Sequence, residues 1–96
     1  MPHPALFLGI DVGTGSARAG LFTATGRMLG SASQPIKMWK PQPDFVEQSS
    51  DDIWAACGCA VRGALKQAKA TPAQVAGIGF DATCSLVARG RGGEQI

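Results

Sequence analysis

Asp11, Gly13, Thr14, Gly15, Ser16 and Arg18 fall in one short stretch, and each residue type supplies something that phosphate chemistry uses. Glycines at 13 and 15 can take positive φ, which lets the backbone fold sharply and aim successive N–H groups at one point, a concave anion site. Thr14 and Ser16 add hydroxyls, and Arg18 adds a permanent cation. Asp11 adds the hard oxygen ligand that a phosphate-bridging Mg2+ needs. Together these residues predict a site for nucleotide phosphates and a metal. A second polar cluster, Asp81-Ala82-Thr83-Cys84-Ser85, stands much later in the chain and offers another carboxylate.

Better-known motifs do not account for the first stretch. A P-loop needs Gly-Lys-Ser/Thr after four spacers, and no lysine occurs between Gly9 and Arg27. A dinucleotide fingerprint begun at Gly13 finds Gly15 at the right offset but Arg18 in place of the third glycine, and the residues beyond it read as strand rather than helix. An aspartic-protease loop would put a hydroxyl residue directly after the aspartate, where Val12 stands. The plainest alternative is an ordinary glycine-rich hairpin turn with a solvated aspartate.

The elements around these residues must position them. The apolar run Ala5 to Leu8, with Ile10, reads as a strand buried on both faces that delivers Asp11 to its carboxyl end. Ser16 to Thr23 reads as a second strand, Ala24-Thr25-Gly26 as a turn, and Arg27 to Ile36 as a third strand, which makes an antiparallel meander. Pro35, Pro41 and Pro43 then break regular structure, and Trp39 among them reads as a packing anchor over the sheet. A helix comes next: Ser49 or Ser50 caps its free amides, Asp51 and Asp52 complement the positive end of its dipole, and Arg62, Lys66 and Lys69 load its later part. At about 100° per residue, Ile53, Trp54, Cys57, Ala60, Val61, Ala64, Leu65 and Ala68 share one arc, the expected core face. Thr71-Pro72 opens a short turn. Val75 to Phe80 reads as another buried strand, parallel to a neighbour because a helical crossover precedes it, and it carries Asp81 to its end. With the two strands adjacent, both polar clusters face the crevice where open α/β sheets bind ligands. Asp81 also has a plainer reading, as the cap of its own loop. Leu86 to Ala88 is expected to continue as a strand, Arg89 and Arg91 to be solvated turn residues, and Glu94 to Ile96 to begin a returning strand.

Composition narrows the partners. Ninety-six residues, 45% of them hydrophobic, suffice for one modest core. Nine basic and seven acidic residues give a net charge of only +2, and the basic ones never form a stripe with interleaved aromatics, so nucleic acid is not an expected partner. No membrane span or signal peptide is read, because the first apolar run is short and ends at Asp11, and a cytoplasmic location is expected. Cys57 and Cys59 stand roughly 200° apart on the helix and cannot grip one metal together. Cys57 is expected to be a core residue and Cys59 a surface thiol, while His3 is expected to be inert.

Asp11-Val12-Gly13-Thr14-Gly15-Ser16-Ala17-Arg18 resembles the first phosphate motif of the FGGY carbohydrate kinases. Gly77-Ile78-Gly79-Phe80-Asp81-Ala82-Thr83-Cys84-Ser85 is similar to a sugar-pocket segment of the ribulokinase-like, pentulose-using branch. Val46-Glu47-Gln48 running into Asp52-Ile53-Trp54 resembles that family's lead-in to its first helix. The resemblance implies an RNase H-like fold of the actin/hexokinase/Hsp70 ATPase superfamily: an α/β domain with a mixed sheet, an antiparallel three-strand meander, a crossover helix and a parallel strand. Residues 1–96 would be the amino-terminal part of the first kinase domain, with the catalytic base, the rest of that domain and all of the second lying elsewhere. It implies ATP and Mg2+ as cofactors and a ketopentose or pentitol as substrate. It places Asp11 at the metal, Gly13, Thr14, Gly15 and Ser16 at the phosphates, Arg18 near the transferring group, and Asp81, Ala82, Thr83 and Cys84 on the sugar side. A fragment of this kind is expected to be inactive alone, and its open sheet edge would favour a homo-oligomer or other association. The competing class is a non-catalytic half-domain that binds a nucleotide or a partner.

Overall fold

Along the first strand Leu6, Leu8 and Ile10 alternate with Phe7, Gly9 and Asp11, and that alternation decides which face of the sheet becomes core. A computed structural model describes residues 5–43, 45–83 and 86–95. Its elements are β1 (Leu6–Val12), β2 (Ser16–Thr23), β3 (Met28–Pro35), β4 (Met38–Gln42), β5 (Phe45–Gln48), α1 (Ser50–Ala68), a 3-10 turn over Pro72–Gln74, and β6 (Val75–Ala82). The main sheet has the order β3-β2-β1-β6. β1 pairs antiparallel with β2, β2 antiparallel with β3, and β1 parallel with β6, so the expected meander and the parallel strand reached through a helical crossover are both present.

Leu6, Leu8 and Ile10 of β1 and Ala17, Ala19 and Leu21 of β2 supply the sheet's half of the core, and α1 lies over them with Ala56, Cys57, Ala60, Ala64 and Leu65. Small residues let the helix sit close. A Cβ on Gly30 would lie 2.5 Å from the Ala64 carbonyl oxygen, and one on Gly63 would lie 2.7 Å from the Ala32 methyl. The helix starts at the N-cap Ser49, whose hydroxyl accepts from the Asp52 N–H at 3.1 Å, and ends with Lys69 in the left-handed region, its N–H returned to carbonyls of the last turn. Thr71 and Gln74 form a capping box across the 3-10 turn that leads into β6.

Four expectations from the sequence are corrected. The proline-bearing stretch after β3 is a second, two-stranded sheet, β4 with β5, in which Pro41 lies on an exposed ribbon where a missing N–H is tolerated. Trp39 belongs to that ribbon and is half exposed rather than packed over the main sheet. Trp54 is 74% exposed, because α1 packs mainly on β2 and β3 and only lightly on β1, and Trp54 stands about 180° around the helix from Gly63, which faces Ala32 of β3. For the same reason β6 is not a buried strand: Ile78 and Phe80 stand on the helix side of the sheet, in register with Leu8 and Ile10, beyond the cover of α1.

The carboxyl-terminal segment also departs from expectation. Residues 86–88 have no strand pairing, and the only pairing of residues 86–95 is a single bridge between Arg89 and Gln95. Arg89 is not merely solvated: its guanidinium meets the Asp51 carboxylate at 2.7 Å and the Ser50 hydroxyl at 2.7 Å. Gln95 accepts from the Ser49 and Ser50 hydroxyls and from the Asp51 N–H, so this segment supplies a second cap to α1.

Cys57 is buried and Cys59 exposed, as the helix geometry requires. Burial pushes the Cys57 thiol above its ordinary range, since the thiolate would lose hydration. A raised folded-state pKa favours the neutral form, so stability is whole below the ordinary thiol pKa of about 8.5 and is lost as pH rises through the raised value. Urea midpoints are therefore expected to fall above about pH 8.5, and less so in Cys57→Ala. Gly30→Ala is expected to cost about 1–3 kcal/mol in the same urea measurement at neutral pH, because the clash is with helix backbone.

Candidate functional site

The strand pairings bring four residues into one row. In register across the sheet stand Asp81 on β6, Asp11 on β1, Arg18 on β2 and Ser33 on β3. Asp11 lies on the face opposite the Leu8 and Ile10 side chains, so the row belongs to the face that α1 does not cover. The two carboxylates predicted to share a crevice are thus Cα partners on adjacent parallel strands.

On this face glycine is frequent, and aromatic rings fill part of the room. Phe22 lies across Gly20 and Gly9, and Phe7 lies against Gly77; a Cβ at Gly20 would meet the Phe22 ring at 2.9 Å and one at Gly77 the Phe7 ring at 3.2 Å. Gly79 carries no such cover. A broad depression of about 560 Å³ results, lined by Gly9, Asp11, Arg18, Phe22, Gly79 and Asp81 among others.

Asp11 and Arg18 form an ion pair within this row. The Arg18 Nη2 donates to Asp11 Oδ2 at 2.6 Å, its Nε donates to the same oxygen at 3.1 Å, and its Nη1 donates to the Ser16 hydroxyl at 3.4 Å. Oδ1 of Asp11 has no hydrogen-bond partner among the described residues. Gly13 is what lets the guanidinium settle there, since a Cβ at that position would lie 2.8 Å from Nη2.

The loop between β1 and β2 differs from the expected nest. Gly13 and Gly15 do not have positive φ; among the described glycines only Gly26 and Gly93 do. The Gly13 N–H donates to the Ser16 carbonyl at 2.9 Å, so it is spent inside the turn. Thr14 and Gly15, both exposed, donate their amides to no acceptor among the described residues. Three of the loop's carbonyls are held from outside: Val12 by the Thr83 N–H at 3.1 Å, Thr14 by the Gln48 Nε2 at 2.7 Å, and Gly15 by the Ile36 N–H at 3.0 Å. The sequence pointed to Gln48 only as part of a lead-in to the helix, and no spacing rule would have connected it to Thr14.

Ala82 ends β6 beside Val12, and Thr83 continues the parallel ladder by its N–H. Cys84 and Ser85 lie outside the described residues. The donor set suits a hard, largely hydrated cation better than a caged one. No group of three or more metal-ligating side chains occurs among the described residues, and Mg2+ needs only one or two carboxylates beside water and phosphate oxygens. Asp11, whose Oδ1 has no partner among the described residues, and its Cα partner Asp81 fit that requirement. Among the described residues no helix is long and apolar enough to cross a membrane.

A mixed sheet of this order, with carboxylates at the ends of its two parallel strands, defines the class: an actin/hexokinase-like domain in part. The gluconate kinase of Lactobacillus acidophilus superposes with a TM-score of 0.86 at 19% identity, covering 98% of this chain and 19% of that one, a likeness of fold. The model of the FGGY family of carbohydrate kinases, N-terminal domain, matches residues 6–87. The chain belongs to the FGGY family of carbohydrate kinases. It is 54% identical over 81 residues to a human FGGY carbohydrate kinase domain-containing protein, covering 84% of this chain and 14% of that protein. It is 48% identical over 87 residues to the D-ribulokinase of Saccharomyces cerevisiae, covering 90% of this chain and 12% of the relative. The chain thus spans a small fraction of the length of the relatives it matches.

Because both members of the Asp11–Arg18 pair have half-exposed side chains, the pair contributes little to folding. Asp11→Asn is expected to change the unfolding free energy by no more than about 1 kcal/mol, measured by urea denaturation, so that any loss of ligand binding in this variant is not a loss of fold.

Proposed function

We propose that this chain forms part of an ATP-dependent carbohydrate kinase that transfers the γ-phosphoryl group of ATP to a hydroxyl of a ketopentose such as ribulose or of the related pentitol. The observation that carries the reading is the register that sets Asp11, Arg18 and Asp81 side by side, at the end of the sheet where the loop of residues 13–15 has two amides without acceptors among the described residues. The similarity to a yeast D-ribulokinase supports the choice of sugar, and the family supports the choice of reaction.

In phosphoryl transfer a protein contributes mainly positioning and charge stabilisation. Thr14 and Gly15 would donate their amides, and Thr14 and Ser16 their hydroxyls, to phosphate oxygens. Gly13 would serve by admitting the Arg18 guanidinium rather than by donating its own N–H. Arg18 has N–H groups beyond the two that hold Asp11, and with them would offset charge on the transferring group. Mg2+, when bound, would supply charge neutralisation between phosphates, and Asp11 and Asp81 are the residues that would hold it or its waters. Asp81, with Ala82, Thr83 and Cys84, would line the sugar side. On the family resemblance the base that takes the proton of the attacking hydroxyl lies outside these residues, so the 96 residues alone would turn over negligibly.

A second reading is favoured by the apolar side chains of Ile78 and Phe80, each 60% exposed. On that reading the chain is a half-domain that binds nucleotide or a partner without transferring phosphate. Turnover separates the two. In the complete protein, ATP with a panel of ribulose, ribitol, xylulose and glycerol is expected to show the highest kcat/KM for ribulose or ribitol, and Asp11→Asn is expected to lower kcat on the order of 100-fold. Preference for glycerol would overturn the choice of sugar, an unchanged Asp11→Asn rate would remove that residue from the mechanism, and nucleotide binding without any turnover would favour the half-domain.

A further inference from the structure

We infer that Gln48 is a positioning residue that sets the direction of the Gly15 amide in the loop between β1 and β2. The inference rests on the reading of that loop as a phosphate site. In a trans peptide unit the carbonyl of one residue and the N–H of the next point in opposite directions across one rigid plane. Holding a carbonyl therefore aims the following amide. Three planes of the loop are held in this way: Thr83 holds the Val12 carbonyl, Ile36 holds that of Gly15, and the Gln48 side chain holds that of Thr14 at 2.7 Å. The first two are clamped by backbone N–H groups, which every non-proline residue carries. The third is clamped by a side chain, and so depends on what residue stands at 48.

Gln48 is braced for this. It is the last residue of β5, paired in register with Met38, and the next residue is the N-cap Ser49. The ribbon is tied to the helix start by the Lys37 N–H, which donates to the Asp52 carboxylate at 2.9 Å. The residue type is also specific. The Thr14 carbonyl only accepts, so position 48 must donate across a gap that glutamine spans; glutamate there would set one acceptor against another. Release of the Thr14 carbonyl would free the 14–15 plane to turn, and the Gly15 amide would lose its fixed direction while the fold remained.

The test compares the parent protein with Gln48→Glu, which keeps size and removes the donor, and Gln48→Lys, which keeps a donor of similar reach. The reporter is hydrogen exchange of the Gly13 amide, which is bonded across the same turn to Ser16. In Gln48→Glu this exchange is expected to rise roughly three- to tenfold with the thermal midpoint nearly unmoved, and in Gln48→Lys to return toward the parent value. Equal exchange in all three proteins would overturn the inference. Mg·ADP is then titrated while the Gly15 amide resonance is followed, and Gln48→Glu is expected to bind several-fold more weakly than the parent. A parent that does not bind Mg·ADP would sink the phosphate reading itself, whereas a parent and Gln48→Glu that bind equally would overturn the part given to Gln48 alone.

Discussion

The register of β1 is the constraint on which the rest depends. β1 is flanked on both sides, by β2 antiparallel and β6 parallel, and its alternation commits Leu6, Leu8 and Ile10 to the helix and Asp11 to the other face. A slip of one residue would send every one of these side chains to the wrong face, burying a carboxylate and exposing the core. The burial of three large apolar residues thus fixes, indirectly, where a half-exposed carboxylate stands and which residues face it. Arg18 on β2 and Asp81 on β6 are its Cα partners, on the same face of the sheet.

Within that frame the site is held by weak contacts in series. The ion pair between Asp11 and Arg18 adds little to folding at its level of exposure, yet it keeps both side chains together in one orientation. The loop of residues 13–15 is shaped by hydrogen bonds received from β3's end, from β6's end and from Gln48, so its conformation reports on three separate parts of the chain. The segment of residues 89–95 joins this arrangement from behind, through Arg89 and Gln95 on the first turn of α1, next to Gln48 in sequence.

Much of this was legible in the sequence. The strands around Asp11 and Asp81, their parallel relation, the start of α1 and the contrasting environments of Cys57 and Cys59 come from periodicity, capping and the handedness of crossovers, which are local signals. What was not legible depends on distant parts. Prolines at 41 and 43 hid the β4–β5 ribbon because an exposed ribbon tolerates them. Apolarity alone could not tell that Trp54, Ile78 and Phe80 lie beyond the overlap of helix and sheet. The glycines at 13 and 15 suggested positive φ, but neither has it, and Gly13 instead leaves the room in which the Arg18 guanidinium sits. Of the predicted sugar-side residues, Asp81 and Ala82 stand beside Asp11 and Val12, while Cys84 lies outside the described residues.

The close seat of α1 on β3 has a consequence for how this domain can change over generations. At Gly30 the helix backbone, and at Gly63 the Ala32 methyl, come too close for the glycine to carry a side chain. A core contact made by leucines can drift, one side shrinking as another grows, because volume can be exchanged. At Gly30 the nearest neighbour is the Ala64 carbonyl oxygen, which no substitution can trim, and a gain there must be met by lifting the helix itself. Lifting it would carry Ser49 with it, and with Ser49 the residue that reaches the loop. A glycine remote from the carboxylate row therefore restricts the evolutionary paths open to it, and descendants that alter this seam would have to re-site the helix and rebuild its reach in the same step.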